Sequence, residues 1–93
     1  MLVLSRRLGE SLVINDQLVL TVAFLANESV ELSLISVGGS LLGTFTARKN
    51  EKLPLTDDIE VVVVRFEGDK VRLGVEGPPG SMFHRGEFWN LPS

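Results

Sequence analysis

The sequence contains no cysteine, and His84 is the one histidine among its 93 residues. Disulfides and thiolate zinc sites are therefore excluded, and a single histidine is too few for the usual zinc ligand sets. No apolar run approaches the roughly 20 residues that a membrane helix needs. Amphipathic helical periodicity is also missing from every segment long enough to show it. These absences favour a cytoplasmic protein that has no metal or other cofactor and no membrane span.

The charge of the chain excludes a further class of protein. Its formal net charge is −3 at pH 7, which argues against the large basic surface of a protein that coats nucleic acid non-specifically. A local basic patch is still compatible with this total, because binding depends on where the charges lie. The 44% content of hydrophobic residues is enough for a buried core. Composition alone leaves the function open.

Apolar and polar residues alternate along most of the chain, as is typical of β-strands. The clearest of these segments are Leu18–Phe24, Val30–Leu34, Ile59–Val64 and Val71–Val75. Residues that favour turns separate them, such as Asn15-Asp16 and Gly68-Asp69. The pattern predicts an all-β chain that forms a single domain over residues 1–93.

The two halves of the chain align without a gap when Leu4 is placed on Phe45, 41 positions later. Other matching positions are Arg7 and Arg48, Glu10 and Glu51, Val30 and Val71, Leu32 and Leu73, and the pairs Gly39-Ser40 and Gly80-Ser81. Any two β-meanders align loosely, because alternation repeats by itself. The agreement of strands, turns and a Gly-Ser pair nevertheless favours a duplication, with repeats at residues 1–44 and 45–93. Such repeats usually cannot bury their apolar faces alone.

Three segments carry a resemblance to a known family. The chain opens with Met1–Leu12, in which an apolar strand precedes Ser5-Arg6-Arg7, an apolar residue and Gly9-Glu10. The second half contains Gly68–Pro78 and then His84-Arg85-Gly86-Glu87. These segments resemble the start, the fourth strand and the closing motif of the carbon storage regulator (CsrA/RsmA) family. The two repeats together cover nearly the whole chain.

The resemblance implies both a fold and a function. Members of the family are homodimers of five-stranded protomers that interleave their strands, so that the first strand of one protomer lies beside the fifth strand of the other. That edge binds a GGA sequence in an RNA hairpin loop, often at a ribosome-binding site, and thereby blocks translation. Here one chain would supply both protomers as a fused pseudo-dimer with small antiparallel or mixed sheets. We expect a monomer of 10.2 kDa, with a strand-swapped dimer as the alternative.

By this resemblance, one of two RNA sites keeps its full set of residues. The site consists of Leu4, Ser5, Arg6, Arg7, Arg72, Phe83, His84 and Arg85. In the second site, Ala47 replaces Arg6, Gly43 replaces His84 and Thr44 replaces Arg85; Arg48 is kept, and Asn50 stands where the first repeat has Gly9. A guanidinium group offers a planar fork of donors, which alanine and threonine cannot replace. We therefore expect one competent RNA site per chain.

The junction between the repeats leaves two interpretations open. Residues 41–44 would form the last strand of the first repeat, and residues 45–48 the first strand of the second. A tight reversal between them normally needs glycine, asparagine or proline, and Thr44-Phe45-Thr46 contains none. The alternative is one continuous strand, with the bends supplied by Gly38, Gly39 and Gly43.

Other interpretations compete with RNA binding. Arg6 and Arg7 could be solvated charges that protect an edge strand from pairing. Phe88 and Trp89 could stack on RNA, although capping of the core is the preferred interpretation. The acidic balance and the degenerate repeat favour a protein-interaction module as the second function, and the family binds a flagellar-assembly antagonist protein. An enzyme is not expected, since no nucleophile triad, paired-carboxylate pocket or phosphate loop is evident.

Overall fold

The computed structural model describes residues 1–86, so Glu87, Phe88, Trp89 and Pro92 lie outside the described residues. The described part of the chain contains nine β-strands and no α-helix. The strands are β1 (Leu2–Arg7), β2 (Ser11–Ile14), β3 (Leu18–Leu25), β4 (Ser29–Ser36), β5 (Leu41–Arg48), β6 (Lys52–Pro54), β7 (Glu60–Glu67), β8 (Lys70–Glu76) and β9 (Phe83–Arg85). Residues 1–86 thus provide no helix that is long and apolar enough to cross a membrane. The prediction of an all-β fold is confirmed.

The nine strands form two antiparallel sheets that exchange strands between the repeats. The four-stranded sheet has the order β1-β8-β7-β6, and the five-stranded sheet has the order β5-β4-β3-β2-β9. Strand β1 of the first repeat therefore closes the sheet of the second repeat, and β9 of the second repeat closes the sheet of the first. This is the interleaving expected of a fused pseudo-dimer.

One hydrophobic core combines buried side chains from both sheets. Strand β4 contributes Val30, Leu32 and Leu34, and strand β8 contributes Val71, Leu73 and Val75. These residues occupy alternate positions, because successive side chains of a strand point to opposite faces of the sheet. Burying each such side chain contributes about 1.5–3 kcal/mol. Each sheet covers the apolar face of the other, which explains why one repeat alone could not bury its apolar side chains.

The local structure repeats at the same offset as the sequence. The N–H of Arg7 donates to Oε1 of Glu10 at 2.7 Å, and the N–H of Arg48 donates to Oε1 of Glu51 at 2.7 Å. Both turns contain a residue with positive φ, which is 84° at Gly9 and 70° at the asparagine that replaces it. Asparagine tolerates this left-handed region better than most residues. The substitution therefore preserves the turn.

The junction between the repeats is a single strand, which resolves the two interpretations. Strand β5 is continuous, and its first half pairs with β4 through Ser33 and Thr44, Leu34 and Gly43, and Ile35 and Leu41. The bend before it is at Gly39, whose φ is 97°. The continuous strand is therefore the interpretation that the structure supports, and the first repeat has no separate fifth strand. As a result, no described strand occupies the position beside β6 in the four-stranded sheet.

Candidate nucleic-acid interface

Strand β1 carries four of the residues predicted for the site and lies at one edge of the four-stranded sheet. Its partner is β8, with Leu4 opposite Leu73, Ser5 opposite Arg72 and Arg7 opposite Lys70. Residues that are directly opposite in an antiparallel pair share a face of the sheet. Ser5, Arg7 and Arg72 therefore lie together on the outer face, which places Arg72 beside the predicted residues of β1.

Strand β9 carries the other three predicted residues, and its position differs from the expectation. Phe83, His84 and Arg85 pair with Ile14, Val13 and Leu12 of β2, in the five-stranded sheet. Strands β1 and β9 consequently end different sheets and do not share a ladder of hydrogen bonds, although the resemblance implied that they are direct neighbours.

Ser11 is where the two edges approach each other. The Nη1 of Arg6 in β1 donates to the main-chain oxygen of Ser11 at 3.4 Å. Gly86, which follows β9 directly, lies against the same residue, and a Cβ atom built on it would be 2.7 Å from Cβ of Ser11. A side chain at this position would force the strands apart. The two predicted halves of the site thus converge on one residue of β2.

Arg6 is buried, with 5% of its surface exposed, although it was predicted to contact RNA. Its Nε also donates to the main-chain oxygen of Ser5 at 2.7 Å. Leu4 and Arg6 share one face of β1, and that face points inward, as it does at the equivalent residue Ala47, which is fully buried. In this structure Arg6 therefore lies on the inner face of β1 and contacts the main chain of Ser5 and Ser11.

The exposed cationic side chains of the interface are those of Arg7 and Arg85. Arg7 forms an ion pair with Asp69 (Nε to Oδ2 3.4 Å), and His84 lies 3.6 Å from Asp16 (Nε2 to Oδ1). Such exposed pairs contribute only about 0–1 kcal/mol, so an incoming phosphate can displace the carboxylate. Guanidinium groups at this edge can donate two hydrogen bonds to a phosphate or to the edge of an unpaired base.

The remaining predicted residues, Leu4 and Phe83, are half-buried and pack against the core. Sequence reasoning missed the residues that hold β9 in place, namely Ser11 and Asn15. The N–H of Met82 donates to Oδ1 of Asn15 at 2.7 Å, which fixes the start of β9. The signal for Asn15 was its place in a turn, where a positive φ (53°) favours asparagine.

The residues of the second site are not arranged like those of the first. Thr44 and Ala47 belong to one continuous strand, so they lie end to end and not on two converging edges. Gly43, which replaces His84, lies under the ring of Phe45, and a Cβ atom on it would be 3.1 Å from Cζ of that ring. Within residues 1–86, no group of three or more histidine, aspartate or glutamate side chains is placed to hold a metal ion.

Comparison with known proteins agrees with this arrangement. The model of CsrA, the global regulator protein family, matches residues 1–36 and 44–91. The chain belongs to the CsrA family. The two matched segments are compatible with a tandem duplication, and the unmatched residues 37–43 contain the bend at Gly39 and the first residues of β5.

Relatives in several bacteria support the same assignment. The translational regulator CsrA of Rhodopirellula baltica is 49% identical over 43 residues, which are 46% of this chain and 61% of the relative. The translational regulators CsrA of Leptospira biflexa and Shouchella clausii are each 40% identical over 42 residues, which are 45% of this chain and 53% of each relative. The chain thus spans little more than half the length of these relatives. No solved structure matches the chain. The names denote regulators, in agreement with the prediction that the chain is not an enzyme.

Proposed function

We propose that the chain is an RNA-binding post-transcriptional regulator that recognises GGA-type hairpin loops in mRNA leaders or small regulatory RNAs. The observation that carries this proposal is the convergence of β1 and β9 at Ser11, with Arg7 and Arg85 exposed beside it. Membership of the CsrA family and relatives named translational regulators support it. A regulator of translation acts in the cytoplasm, where we expect this chain, with no membrane or cofactor involved.

The chemistry of the interface suits an unpaired loop better than a duplex. Single-stranded bases are read by stacking and by hydrogen bonds to their exposed edges. Arg7, Arg72 and Arg85 supply donors, His84 supplies an imidazole, and Ser5 supplies a hydroxyl group beside them. Leu4 and Phe83 form the apolar floor, and buried Arg6 holds Ser11. In this proposal, Arg6 acts through the position of Ser11.

We also propose one such site per chain. In the second site the equivalents of Arg6, His84 and Arg85 are Ala47, Gly43 and Thr44, which lack both charge and a guanidinium fork. Losing one good bidentate base contact costs about 1–3 kcal/mol, so losing several would leave only weak, non-specific binding. Titration of labelled hairpin into the protein should therefore saturate at one RNA per chain, and two equivalent RNAs would contradict the asymmetry.

The test compares a hairpin with GGA in its loop against the same hairpin with the loop scrambled. The wild-type chain should prefer the GGA loop, and Arg85→Ala should weaken that binding by about 5-fold to 150-fold, the equivalent of one base contact. Lys52→Ala is the matched control, because Lys52 is an exposed cation on β6, outside the interface. Micromolar or weaker binding that ignores the loop sequence would refute the proposal.

A protein-interaction module is the second candidate, and one observation favours it. Leu41 and Leu42 of the edge strand β5 are exposed to 65% and 54%. Adjacent exposed apolar side chains often mark a protein contact, such as one with a protein antagonist. Such a module would bind the GGA and scrambled hairpins equally weakly, so the same measurement separates the two functions.

A further inference from the structure

A cleft of about 430 Å³ lies where the C-terminal end of β5 meets β7. It is lined by Glu28, Arg48, Lys49, Arg65 and Phe66, and we call it the basic cleft. Three of these side chains are cationic and one is anionic. The concentration of positive charge is notable in a chain whose net charge is −3. No residue of the predicted RNA site lines it.

The first repeat provides an internal comparison for the basic cleft. At the offset of 41 residues, its lining corresponds to Asp69, Arg7, Leu8, Phe24 and Leu25. Leu8 and Phe24 are exposed, and the Arg7 side chain is paired with Asp69. The second repeat has Lys49 in place of leucine and Arg65 in place of phenylalanine. Two cations are therefore added on an equivalent backbone.

The cations of the basic cleft are available to a ligand. Among residues 1–86, no carboxylate lies within 4.0 Å of the charged nitrogens of Arg48 or Lys49. Arg65 is paired with Glu67 (Nε to Oε1 3.0 Å), but both side chains are partly exposed, at 56% and 33%. Exposed ion pairs of this kind are weak and exchange readily for a phosphate. The half-buried ring of Phe66 adds an apolar wall.

A row of one serine and two arginines connects the predicted RNA site with the basic cleft. Arg72 of β8 lies opposite Ser5 of β1 on one side and opposite Arg65 of β7 on the other. Neighbouring strands are about 4.8 Å apart, so this row crosses about 10 Å of the outer face. Directly opposite residues share that face. A polyanion bound at β1 can therefore continue across the sheet to the cleft.

We propose that the basic cleft binds the sugar-phosphate backbone of single-stranded RNA that flanks the hairpin loop. This inference rests on the proposed function, because it assigns the basic cleft to another part of the RNA that binds at the predicted site. Arginine and lysine contact phosphates without reading sequence, and an aromatic wall can stack on any base. In this proposal the second site lacks its base-reading residues, and the nearby basic cleft instead carries cations that bind the sugar-phosphate backbone of the RNA.

The test uses a GGA hairpin with and without a ten-uridine tail. At about 3.4 Å per stacked nucleotide, such a tail exceeds the largest extent of the protein, 31 Å. The wild-type chain should bind the tailed hairpin about fivefold or more tightly than the untailed one. The plot of log affinity against log salt should be steeper by about 0.7 for each tail phosphate that is neutralised.

The decisive variant carries Lys49→Leu and Arg65→Phe, which are the residues of the first repeat. This double variant should fold normally, because leucine and phenylalanine already occupy the equivalent positions 8 and 24 of the first repeat. Its thermal unfolding midpoint checks this. The variant should lose the tail-dependent affinity and the added salt slope but keep wild-type affinity for the untailed hairpin. Lys52→Ala, an exposed cation outside the cleft, should keep both.

Two results would overturn the basic cleft as an RNA site. One is a wild-type chain that gains nothing from the tail, and the other is a double variant that keeps the gain. Failure of the proposed function looks different, because the untailed hairpin would then bind without regard to its loop. A free ten-uridine oligomer tests the cleft in that case, since its salt-dependent binding should still be lost in the double variant.

Discussion

Asn15 holds Met82 through two reciprocal hydrogen bonds, although 67 residues separate them along the chain. The N–H of Asn15 donates to the oxygen of Met82 at 2.7 Å, and the N–H of Met82 donates to Oδ1 of Asn15 at 2.7 Å. Strand β9 begins at the next residue and is only three residues long. Its attachment to β2 therefore depends strongly on this pair, and so does the position of His84 and Arg85.

Asn15→Gly should weaken the attachment of β9 without removing any residue of the proposed interface. Glycine keeps the main-chain hydrogen bond and accepts the φ of 53°, so only the side-chain acceptor is lost. The loss of one hydrogen bond costs about 0.5–1.5 kcal/mol, which corresponds to about 2-fold to 12-fold weaker hairpin binding. Hydrogen exchange at the amides of β9 should quicken by a similar factor.

Asn50→Gly is the matched control for this prediction. Asn50 also has a positive φ (70°), but it lies in the turn after β5, far along the chain from β9. Its substitution should leave both hairpin affinity and exchange in β9 unchanged. Equal effects of the two variants, or unchanged exchange in Asn15→Gly, would show that the reciprocal pair does not hold β9.

Arg6→Ala and Arg7→Ala should separate support of the interface from contact with RNA. Arg6 is buried and donates to two main-chain oxygens, so its truncation should lower the free energy of unfolding by about 1–3 kcal/mol. Arg7 is exposed, so Arg7→Ala should change stability by less than about 0.5 kcal/mol while weakening hairpin binding. Urea unfolding and hairpin titration of both variants measure this. Wild-type stability of Arg6→Ala would contradict the supporting role.

The strands of this fold follow from short-range pattern, but the pairing of β9 does not. Alternation predicts a strand at Val71–Val75, and the structure has Lys70–Glu76. Strand β9 is too short for a pattern to choose its neighbour, because any open sheet edge offers the same main-chain donors and acceptors. The choice of β2 depends on Asn15 and Ser11, whose contacts with Met82 and Gly86 join parts of the chain that are far apart in sequence.

The orientation of Arg6 shows a different limit of the sequence. Leu4 and Arg6 are two residues apart, so alternation alone places both on the inner face of β1. Arginine is rarely buried, and its frequency on surfaces favours the opposite placement. The structure follows the alternation, because the oxygens of Ser5 and Ser11 accept hydrogen bonds from the guanidinium. The availability of those acceptors is a tertiary property, which the pattern does not contain.

The pKa of Glu67 should respond to the loss of Arg65. The hydrogen bond from Nε of Arg65 holds the pKa of this carboxyl below its ordinary value, with further help from the charges of Arg72 and Lys70. Because the folded-state pKa is lowered, the stabilisation is present above the unfolded-state pKa and is lost as the pH falls through the folded value. Arg65→Phe should raise this pKa, as followed by NMR titration of the carboxyl carbon. Lys52→Ala should leave it unchanged, and an unaltered pKa in Arg65→Phe would contradict the assigned cause.

Pro54 should keep the open edge of β6 from pairing with another chain. Its equivalent in the first repeat is Val13, and that residue lies opposite His84 of β9. The N–H of Asn15, two positions further, donates to Met82, the residue just before β9, so alternation directs the N–H of Val13 to the same side. Proline has no N–H, and it is typical of edge strands for this reason. The edge of β6 therefore lacks a main-chain donor at Pro54, the last residue of the strand.

Pro54→Val restores that donor and should allow two chains to associate through their β6 edges. Sedimentation should show a wild-type mass near 10.2 kDa and a concentration-dependent dimer for the variant, with a dissociation constant of about 1 µM to 1 mM. Lys52→Val is the control, because it raises β-propensity on the same strand without adding an N–H. A monomeric Pro54→Val would show that the missing donor is not what prevents two β6 edges from pairing. A wild-type dimer would show that the missing donor does not keep the chain monomeric, and it would agree with the alternative of a strand-swapped dimer.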